Sequence, residues 1–399
     1  MIARSPKTSG DRSSMPNDRT TVPRQLVVVG VASSKRVREL VEAAKPWVHP
    51  PVLVCSYREA LEGNRVPPPH SLVRFESLSD CTETLKVILK AGIEPMTADR
   101  LLALTDGDVD QLEPGRGEIL HPRQWFLGFR EVLRSIEARW RGLSLQWMSN
   151  AESIITAFDK LACLERWERV GLPVPPRISG ASTYSAIRKS VPEHHARLFI
   201  KLRYGYSAMG AVALEWRGDL VRAITTVEVA WSEGRPRLYV TKRPRVLTRE
   251  FEIAWLTDTL AMEEVIVERW LPKARWEGMP YDLRIVMIGG RVRHVVGRGN
   301  SSPFTNLNLD ARRIAREEIV SNLGSAWPEL QSLAERAAEQ IPGAGMLGLD
   351  VLVRPRNQGF VLLEANAFGD YLPGLLHEGD TTYAAQFREV YGSPTGACS

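Results

Sequence analysis

Oxygen-bearing side chains suited to a divalent cation lie within the run from Gly345 to Asp370, GMLGLDVLVRPRNQGFVLLEANAFGD. The run predicts two strands, LGLDVLVR and GFVLLEAN, because apolar residues alternate with polar or small ones on both sides of a short polar turn. Glu364 and Asn366 are two residues apart and leave the same face of their strand, and pairing across the turn brings Asp350 near that face. Such a set suits Mg²⁺, which takes its remaining ligands from water and from substrate phosphates.

The hairpin by itself leaves a second interpretation open. Polar residues at strand ends commonly face water, and Asp350, Glu364 or Asn366 taken singly fits that description. The apolar run FVLL directly before Glu364, together with the apolar strand that carries Asp350, favours the cation site.

Two lysines are candidates for binding an anion. Lys201 ends the predicted strand RLFIK and precedes the loop YGYSAMG, so its ammonium and the N–H groups of the loop could hold a phosphate. Lys160 lies inside one long predicted helix, AESIITAFDKLACLERWERVG, from which it either reaches toward a phosphate or stays in solvent. A strand-loop-strand tip with two glycines is common, so this loop also fits an ordinary hairpin.

The segment that follows predicts a nucleotide pocket. The strand in VIVERWLP breaks at its proline, which leaves main-chain groups of Glu268–Leu271 free to bind an adenine edge. The next segment, PYDLRIVMIGGRVRHVVGRGN, predicts a hairpin that turns at its double glycine and places Asp282, Arg284 and Arg298 at strand ends. These arginines either hold phosphate and carboxylate groups or lie exposed.

The remaining elements frame these residues. A βαβ unit begins with the segment QLVVVGVASSKRVRELVEAA, and the strands PVLVCS and SLVRFES continue it to about residue 92. Gly30 is the single glycine in the first turn, so the segment lacks the glycine-rich fingerprint of a dinucleotide-binding fold. Residues 95–150 are loop-rich and helical, with aromatic residues such as Trp125, Phe126 and Phe129 that favour a core over a stacking platform. Further helices are predicted at about 311–321, in PELQSLAERAAEQIPG and in the closing segment TTYAAQFREVYG.

Composition bounds the protein class. The 399 residues are 44% apolar and 25% charged, as in soluble globular proteins, and no apolar run approaches the roughly 18 residues that span a bilayer, so no membrane partner is expected. Residues 1–23 are polar and predict a disordered tail, and the default location is the cytoplasm. Cys55, Cys81, Cys163 and Cys398 show neither zinc nor disulfide spacing. The net charge of +5 is spread along the chain, which suits an acidic substrate and gives only weak support for nucleic acid.

Five segments, in order, resemble the ATP-grasp superfamily, most closely its glutathione-synthetase-like and RimK-like ligases. They are FDK with LERWERVGLPVPP, FIKLRYGYSAMGAV, VIVERWLP, YDLRIVMIGGRVRHVVGR, and GLDVLV with VLLEANAFGD, and they span about residues 150–380. After the predicted tail (1–23), the resemblance implies an N-terminal α/β domain with a mainly parallel sheet and a helical connection (24–150), and an ATP-grasp domain (151–390). In that domain, two α+β subdomains, the lid (about 180–270) and the metal-site subdomain (about 271–390), hold ATP between them.

The resemblance also implies a role for each candidate residue. Lys160 and Lys201 would bind ATP phosphates, and the mobile lid loop Tyr204–Gly210 would close over them. Asp282 would lie near the ribose or the acyl site, and Arg284 and Arg298 would be the catalytic arginines facing an acylphosphate. The other implied ligands are Tyr204, Gly205, Ser207 and Gly210 in the loop, Glu268, Arg269, Trp270 and Leu271 in the adenine hinge, and Asp350, Glu364 and Asn366 on Mg²⁺, with Mn²⁺ as an alternative ion.

The activity that the resemblance implies is ATP-dependent joining of a carboxylate to an amine, with release of ADP. Small molecules and peptides are both open as substrates, and so is a homo-oligomeric state. An alternative is an ATP-binding regulatory or scaffold module without turnover. A nucleic-acid-binding protein is a third hypothesis, and it rests only on the excess of basic residues.

Overall fold

The protein is described by a computed structural model over residues 25–78, 81–368 and 372–392. Within these residues the fold contains a parallel sheet followed by two antiparallel sheets, which confirms the predicted mixed α/β class. Several positions discussed above lie outside the described residues: the predicted tail 1–23, Asp370 and Cys398.

The parallel sheet has four strands in the order β2-β1-β3-β4. They are β1 (Leu26–Val29), β2 (Leu53–Cys55), β3 (Leu72–Phe75) and β4 (Gln146–Trp147). The helices are α1 (Lys35–Ala44), α2 (Tyr57–Glu62), α3 (Thr82–Ala91), α4 (Ile93–Ala98), α5 (Asp106–Gln111) and α6 (Pro122–Arg139). The sequence predicted the first three strands but not the two-residue β4. The aromatic residues Trp125, Phe126 and Phe129 of α6 are buried, as expected of a core.

The long helix predicted from residue 151 onward is two helices. These are α7 (Ala151–Phe158) and α8 (Lys160–Arg169), separated by Asp159, whose backbone is extended (φ −80°, ψ 92°). The Asp159 carboxylate accepts a hydrogen bond from the N–H of Ala162 at 3.1 Å, so it caps α8. Lys160 is therefore the first residue of a helix, whereas the sequence placed it in the middle of one.

The second sheet is antiparallel and has five strands in the order β8-β7-β6-β5-β9. Residues 220–247 form two long strands. The elements are α9 (Tyr184–Ser190), β5 (His195–Leu202), β6 (Val212–Arg217), β7 (Leu220–Ser232), β8 (Arg235–Leu247), α10 (Glu250–Ala261) and β9 (Val265–Arg269).

The third sheet is antiparallel and contains both predicted hairpins. Its order is β13-β12-β11-β14-β15, with β10 pairing to β11. The elements are β10 (Arg275–Trp276), β11 (Met279–Ile288), β12 (Arg291–Gly299), β13 (Arg312–Ile314), α11 (Arg316–Leu323), α12 (Trp327–Glu339), β14 (Met346–Val353), β15 (Phe360–Asn366) and α13 (Thr382–Tyr391). The helix predicted at 311–321 begins only at Arg316, because residues 312–314 pair with β12 instead.

The loop after β12 joins the two antiparallel sheets. Phe304 and Leu309, both buried, pack with Ala213 on β6 of the five-stranded sheet and with Ala211 just before that strand. Phe304 also meets the ring of Phe199 edge to face, with centroids 5.6 Å apart. This apolar contact therefore connects the loop of the six-stranded sheet to the five-stranded sheet, at one side of the space between the two sheets.

His294 on β12 is buried, with 1% of its surface exposed. Its Nε2 lies 3.0 Å from the main-chain oxygen of Asp380 and donates to it, since a carbonyl only accepts. Nδ1 is then an acceptor, and it has no hydrogen-bond partner within the described residues. Burial lowers the pKa of His294, nearby His377 and Arg293 act in the same direction, and the Asp380 carbonyl and carboxylate oppose them without reversing the shift.

We expect this histidine to make stability depend on pH. Folding favours its neutral form, so the stabilisation is complete above about pH 6.5, the usual pKa of histidine, and is lost as the pH falls from there through the lowered folded value. Urea unfolding at about pH 7.5 and about pH 5.5 measures the difference. In His294→Gln, which keeps an N–H donor for the Asp380 carbonyl, this part of the pH dependence should disappear. An unchanged pH profile in that variant would contradict the expectation.

A membrane-crossing segment is not found in the part of the chain that the structure describes. No helix there combines the length and the apolar character that a bilayer requires.

Candidate active site

A cleft that is open to solvent at its mouth lies between the five-stranded and six-stranded antiparallel sheets. The predicted site residues that line it are Lys160, Lys201, Gly205, Ser207, Glu268, Arg269, Trp270, Leu271, Asp282, Arg298, Asp350 and Glu364. The predicted residues that do not line it are Tyr204, Gly210, Arg284 and Asn366.

Strand pairing places the charged side chains of the six-stranded sheet on one face. Asp350 lies directly opposite Glu364 on β15 and opposite Arg284 on β11, and Asp282 lies opposite Arg298 on β12. Cross-strand partners in antiparallel sheets share a face, so these side chains converge. The predicted pairing of Asp350 with the strand of Glu364 is confirmed.

Asp350 is held between two arginines. Its carboxylate is 2.5 Å from Nε of Arg284 and 3.0 Å from a terminal nitrogen of Arg298, and all three residues are buried. Arg284 lies beneath Asp350 and does not line the cleft, whereas Arg298 does. Burial raises the pKa of Asp350 even though both guanidinium groups oppose that shift. Arg298 also contacts the Asp282 carboxylate at 2.9 Å, so its guanidinium group bridges Asp350 and Asp282.

Glu364 faces the two lysines across the cleft. The Nζ atom of Lys160 lies 3.5 Å from a Glu364 carboxylate oxygen and also donates to the carbonyl of Gly205. Burial alone would raise the pKa of Glu364, but Lys160, Lys201 and Arg284 outweigh it and lower that pKa to about 2. Glu364 is therefore ionised at neutral pH.

Lys201 and Glu268 form a buried ion pair on neighbouring strands. Their Nζ and Oε2 atoms are 2.7 Å apart, and Glu268 is only 2% exposed. Burial would lower the pKa of Lys201, but the carboxylates of Glu268, Glu364 and Asp350 outweigh it and the pKa is raised. The second oxygen of Glu268, Oε1, is buried without a hydrogen-bond partner among the described residues. A buried acceptor of this kind is a place where a ligand N–H can bind.

The predicted hinge lies at the apolar end of the cleft. The N–H of Trp270 donates to the main-chain oxygen of Arg197 at 3.0 Å, but the N–H of Leu271 makes no hydrogen bond within the described residues. The rings of Phe199 and Trp270 pack edge to face, with centroids 5.6 Å apart. A flat ring with an acceptor on its edge, such as adenine, fits an apolar slot that ends in a free N–H.

Two residues that the sequence did not single out hold Asp282 in the cleft wall. The Nζ atom of Lys273 is 3.0 Å from the Asp282 carboxylate and 2.7 Å from the hydroxyl of Thr305, which itself donates to Asp282. The pKa of Asp282 is lowered: burial acts against this shift, but Arg298 and Lys273 exceed it. Lys273 follows Pro272, just beyond the predicted hinge, and that proximity to the hinge is the only local signal for it. Nothing local marks Thr305.

The loop Tyr204–Gly210 contributes its middle to the cleft and its ends to packing. Tyr204 stacks on Phe126 of α6, with centroids 4.2 Å apart, and so points away from the cleft. Gly210 has a φ of +65°, and a Cβ there would lie 2.4 Å from Leu202, so only glycine fits. Gly205 and Ser207 line the cleft.

The donor set suits a magnesium ion that also binds a nucleotide. Within the described ranges, no group of three or more His, Cys, Asp or Glu side chains is arranged to hold a metal. Asp350 and Glu364 provide carboxylate oxygens in the cleft, and Asn366 lies two residues beyond Glu364, opposite Gly348. One or two carboxylates with phosphate oxygens are a common Mg²⁺ environment, so these residues fit the ion.

Comparison with solved structures shows the fold. The ATP-grasp ligase PsnB in complex with a minimal precursor superposes with a TM-score of 0.51 at 14% identity, covering 92% of this chain and 99% of that one. Macrocyclase MdnC from Microcystis aeruginosa MRC, bound with precursor peptide MdnA, gives 0.50 at 11% identity, with coverage of 92% and 98%. N5-carboxyaminoimidazole synthase from Aspergillus clavatus, in complex with ADP and a ribonucleotide, gives 0.50 at 12% identity, with coverage of 94% and 78%. No family model matches the sequence, and no curated protein does. The chain has the ATP-grasp fold.

Proposed function

We propose that the protein is an ATP-dependent, ADP-forming carboxylate–amine ligase. One observation carries the proposal: a single cleft holds Lys160 and Lys201 close to Glu364, with Arg298 and Asp350 beside them. Cations and oxygen ligands at that spacing suit the phosphates of ATP and their metal ion. The apolar slot and the free N–H of Leu271 lie at the other end, where the base would bind.

The proposed reaction has two steps. A carboxylate oxygen of the acid substrate attacks the γ-phosphorus of ATP, the bond to the β-phosphate oxygen breaks, and ADP leaves. The nitrogen of an amine then attacks the acyl carbon of the acylphosphate, phosphate leaves, and the nitrogen loses a proton to form the amide. The protein's part is to position groups and to stabilise developing negative charge.

The roles follow from where each side chain lies. Lys160 and Lys201 would bind the phosphates that the loop Tyr204–Gly210 covers, and Arg298 would stabilise charge on the transferred phosphoryl group. Arg284 would hold Asp350 from below, which makes it a positioning residue. Asp350, Glu364 and Asn366 would hold Mg²⁺, which would neutralise negative charge on the phosphates.

A peptide is a substrate class worth testing first. PsnB is solved in complex with a minimal precursor and MdnC with the precursor peptide MdnA, so a protein of this fold can bind a peptide. The proposal includes membership of the RimK-like group of ATP-grasp ligases. A basic protein of net charge +5 should bind an acidic peptide with an affinity that falls as salt rises.

The experiment that tests the function is release of ADP and phosphate from Mg-ATP. The full chain is incubated with pooled amino acids, small carboxylates and acidic peptides, and active pools are divided until one acid and one amine remain. ADP release that requires both, together with an amide product of the expected mass, would support a ligase. ATP binding without ADP release from any pool would instead support a binding module without turnover.

Base selectivity is a separate expectation. The unpaired Oε1 of Glu268 can accept a hydrogen bond from the amino group at position 6 of adenine, whereas guanine and hypoxanthine carry an oxygen there. An unpaired buried acceptor costs about 1–3 kcal/mol, so ATP should bind about 10- to 100-fold more tightly than GTP or ITP. Competition binding on the full chain measures this ratio. Equal affinities for ATP and ITP would show that Glu268 does not contact the base.

A further inference from the structure

The local sequence explains the break between α7 and α8 only in part, through the cap that Asp159 provides for α8. Residues 151–169 contain neither proline nor glycine, and the residues around Asp159 are compatible with an unbroken helix. Asp159 nevertheless has an extended backbone, and its N–H still donates to Ile155 of α7 while its side chain caps α8. A contact from elsewhere in the fold must therefore stabilise the break.

That contact is Arg203, which follows β5 at the start of the loop Tyr204–Gly210. Its Nε and one terminal nitrogen lie 2.7 and 2.6 Å from the two carboxylate oxygens of Asp159, a bidentate pair. Its other terminal nitrogen is 2.8 Å from Glu264. The side chain of Arg203 is 25% exposed and that of Asp159 is 11% exposed, so water screens their interaction only in part.

The main chain strengthens the same junction. The N–H of Lys160 donates to the carbonyl of Arg203 at 3.3 Å, and the N–H of Arg203 donates to the carbonyl of Glu264 at 3.0 Å. Glu264 in turn pairs with Arg123 of α6 at 2.8 Å. The start of α8 is thus held to the strand end that leads into the loop, by both side-chain and main-chain bonds.

We propose that Arg203 and Asp159 are positioning residues that direct Lys160 into the phosphate end of the cleft. The inference rests on the proposed function, because it assigns Lys160 a nucleotide phosphate as its ligand. With the pair in place, α8 starts at Lys160, and its Nζ reaches the Gly205 carbonyl and Glu364. Without the pair, α7 and α8 are free to join into one helix, which turns Lys160 away from the cleft.

If Arg203 and Asp159 position Lys160, breaking their pair should change ligand binding differently than if they only stabilise the fold. The hinge, with Glu268 on β9 and Leu271 two residues beyond its end, makes no hydrogen bond or ion pair with Arg203 or Asp159 among the described residues. Adenosine binding should therefore persist when the pair is broken. Only the part of the affinity that ATP owes to its phosphates should fall. The informative quantity is therefore the ratio of the ATP and adenosine affinities.

The test measures Mg-ATP and adenosine binding by calorimetry on the full chain. Arg203→Met and Asp159→Asn should each lower the ATP-to-adenosine affinity ratio by about 10- to 100-fold, since small misplacements of a charged group carry such costs. Asparagine still caps α8, so its effect isolates the ion pair. Arg203→Lys should recover part of the ratio. A matched control is Arg134→Met, which breaks the bidentate Arg134–Glu152 pair at the other end of α7 and should leave the ratio unchanged.

A double variant decides whether the effect passes through Lys160. In a Lys160→Met background, Arg203→Met should lower the ratio no further, because the group that it positions is already absent. Independent, additive losses would overturn the inference, and so would equal weakening of ATP and adenosine by Arg203→Met. If the wild-type chain binds adenosine but gains nothing from the phosphates of ATP, the proposed function fails and the inference fails with it.

Discussion

Replacing Glu364 by alanine is expected to lower ADP release from an active substrate pool by about 100-fold or more. Glu364 is the ionised carboxylate that faces Lys160 and lies opposite Asp350. Its loss removes a proposed ligand of the metal ion and leaves Lys160 without the carboxylate that lies 3.5 Å from its Nζ atom. Because the missing property is the charge, Glu364→Gln should lose nearly as much activity as Glu364→Ala, although glutamine keeps the shape.

The matched control is Glu339→Gln, which changes an exposed glutamate at the end of α12. It should leave ADP release unchanged. Binding of Mn²⁺ together with ATP, followed by electron paramagnetic resonance, is a readout that does not depend on turnover, and it should weaken in both Glu364 variants. A loss of less than about tenfold in Glu364→Ala would show that this carboxylate is not a metal ligand.

Lys201→Met should reduce stability and ATP affinity together. The substitution leaves the Glu268 carboxylate, 2% exposed, without the ammonium that lies 2.7 Å away. Removing one partner of a buried ion pair typically costs about 3–5 kcal/mol, because the other charge stays buried alone. Chemical denaturation with urea measures the loss, and calorimetric titration with Mg-ATP measures the affinity.

A double variant separates the two effects. Lys201→Met with Glu268→Leu removes both charges, so most of the stability should return. ATP binding should not return, because no cation remains at that position to bind a phosphate. The control is Lys242→Met, an exposed lysine on β8 of the same sheet, which should change neither quantity. A double variant that binds ATP as tightly as the wild type would remove Lys201 from the proposed phosphate site.

The central hairpin could be predicted because its information is local. Period-two alternation fixes which face of a strand each side chain leaves, and a short turn fixes which residues meet across it. Asp350 and Glu364 met these conditions, and they pair in the structure. The same reasoning placed Lys201 at a strand end beside a glycine-containing loop.

The break at Asp159 could not be predicted because it depends on a distant residue. Arg203 is far from Asp159 in sequence, and only the path of β5 brings its guanidinium to the carboxylate. Tyr204 shows the same limitation: its ring stacks on Phe126 of a helix whose position the sequence does not specify. Lys273 and Thr305 likewise acquire their place beside Asp282 from the path of two loops.

The contact of Phe304 and Leu309 with the five-stranded sheet affects how easily the two antiparallel sheets can separate on that side of the cleft. Separating the two sheets on that side exposes apolar surface of both residues, together with that of Ala211 and Ala213. The free-energy cost of such exposure grows with temperature near ambient conditions and responds little to salt, unlike the rupture of ion pairs. Warming and cooling, rather than ionic strength, should therefore govern how often this side of the cleft opens.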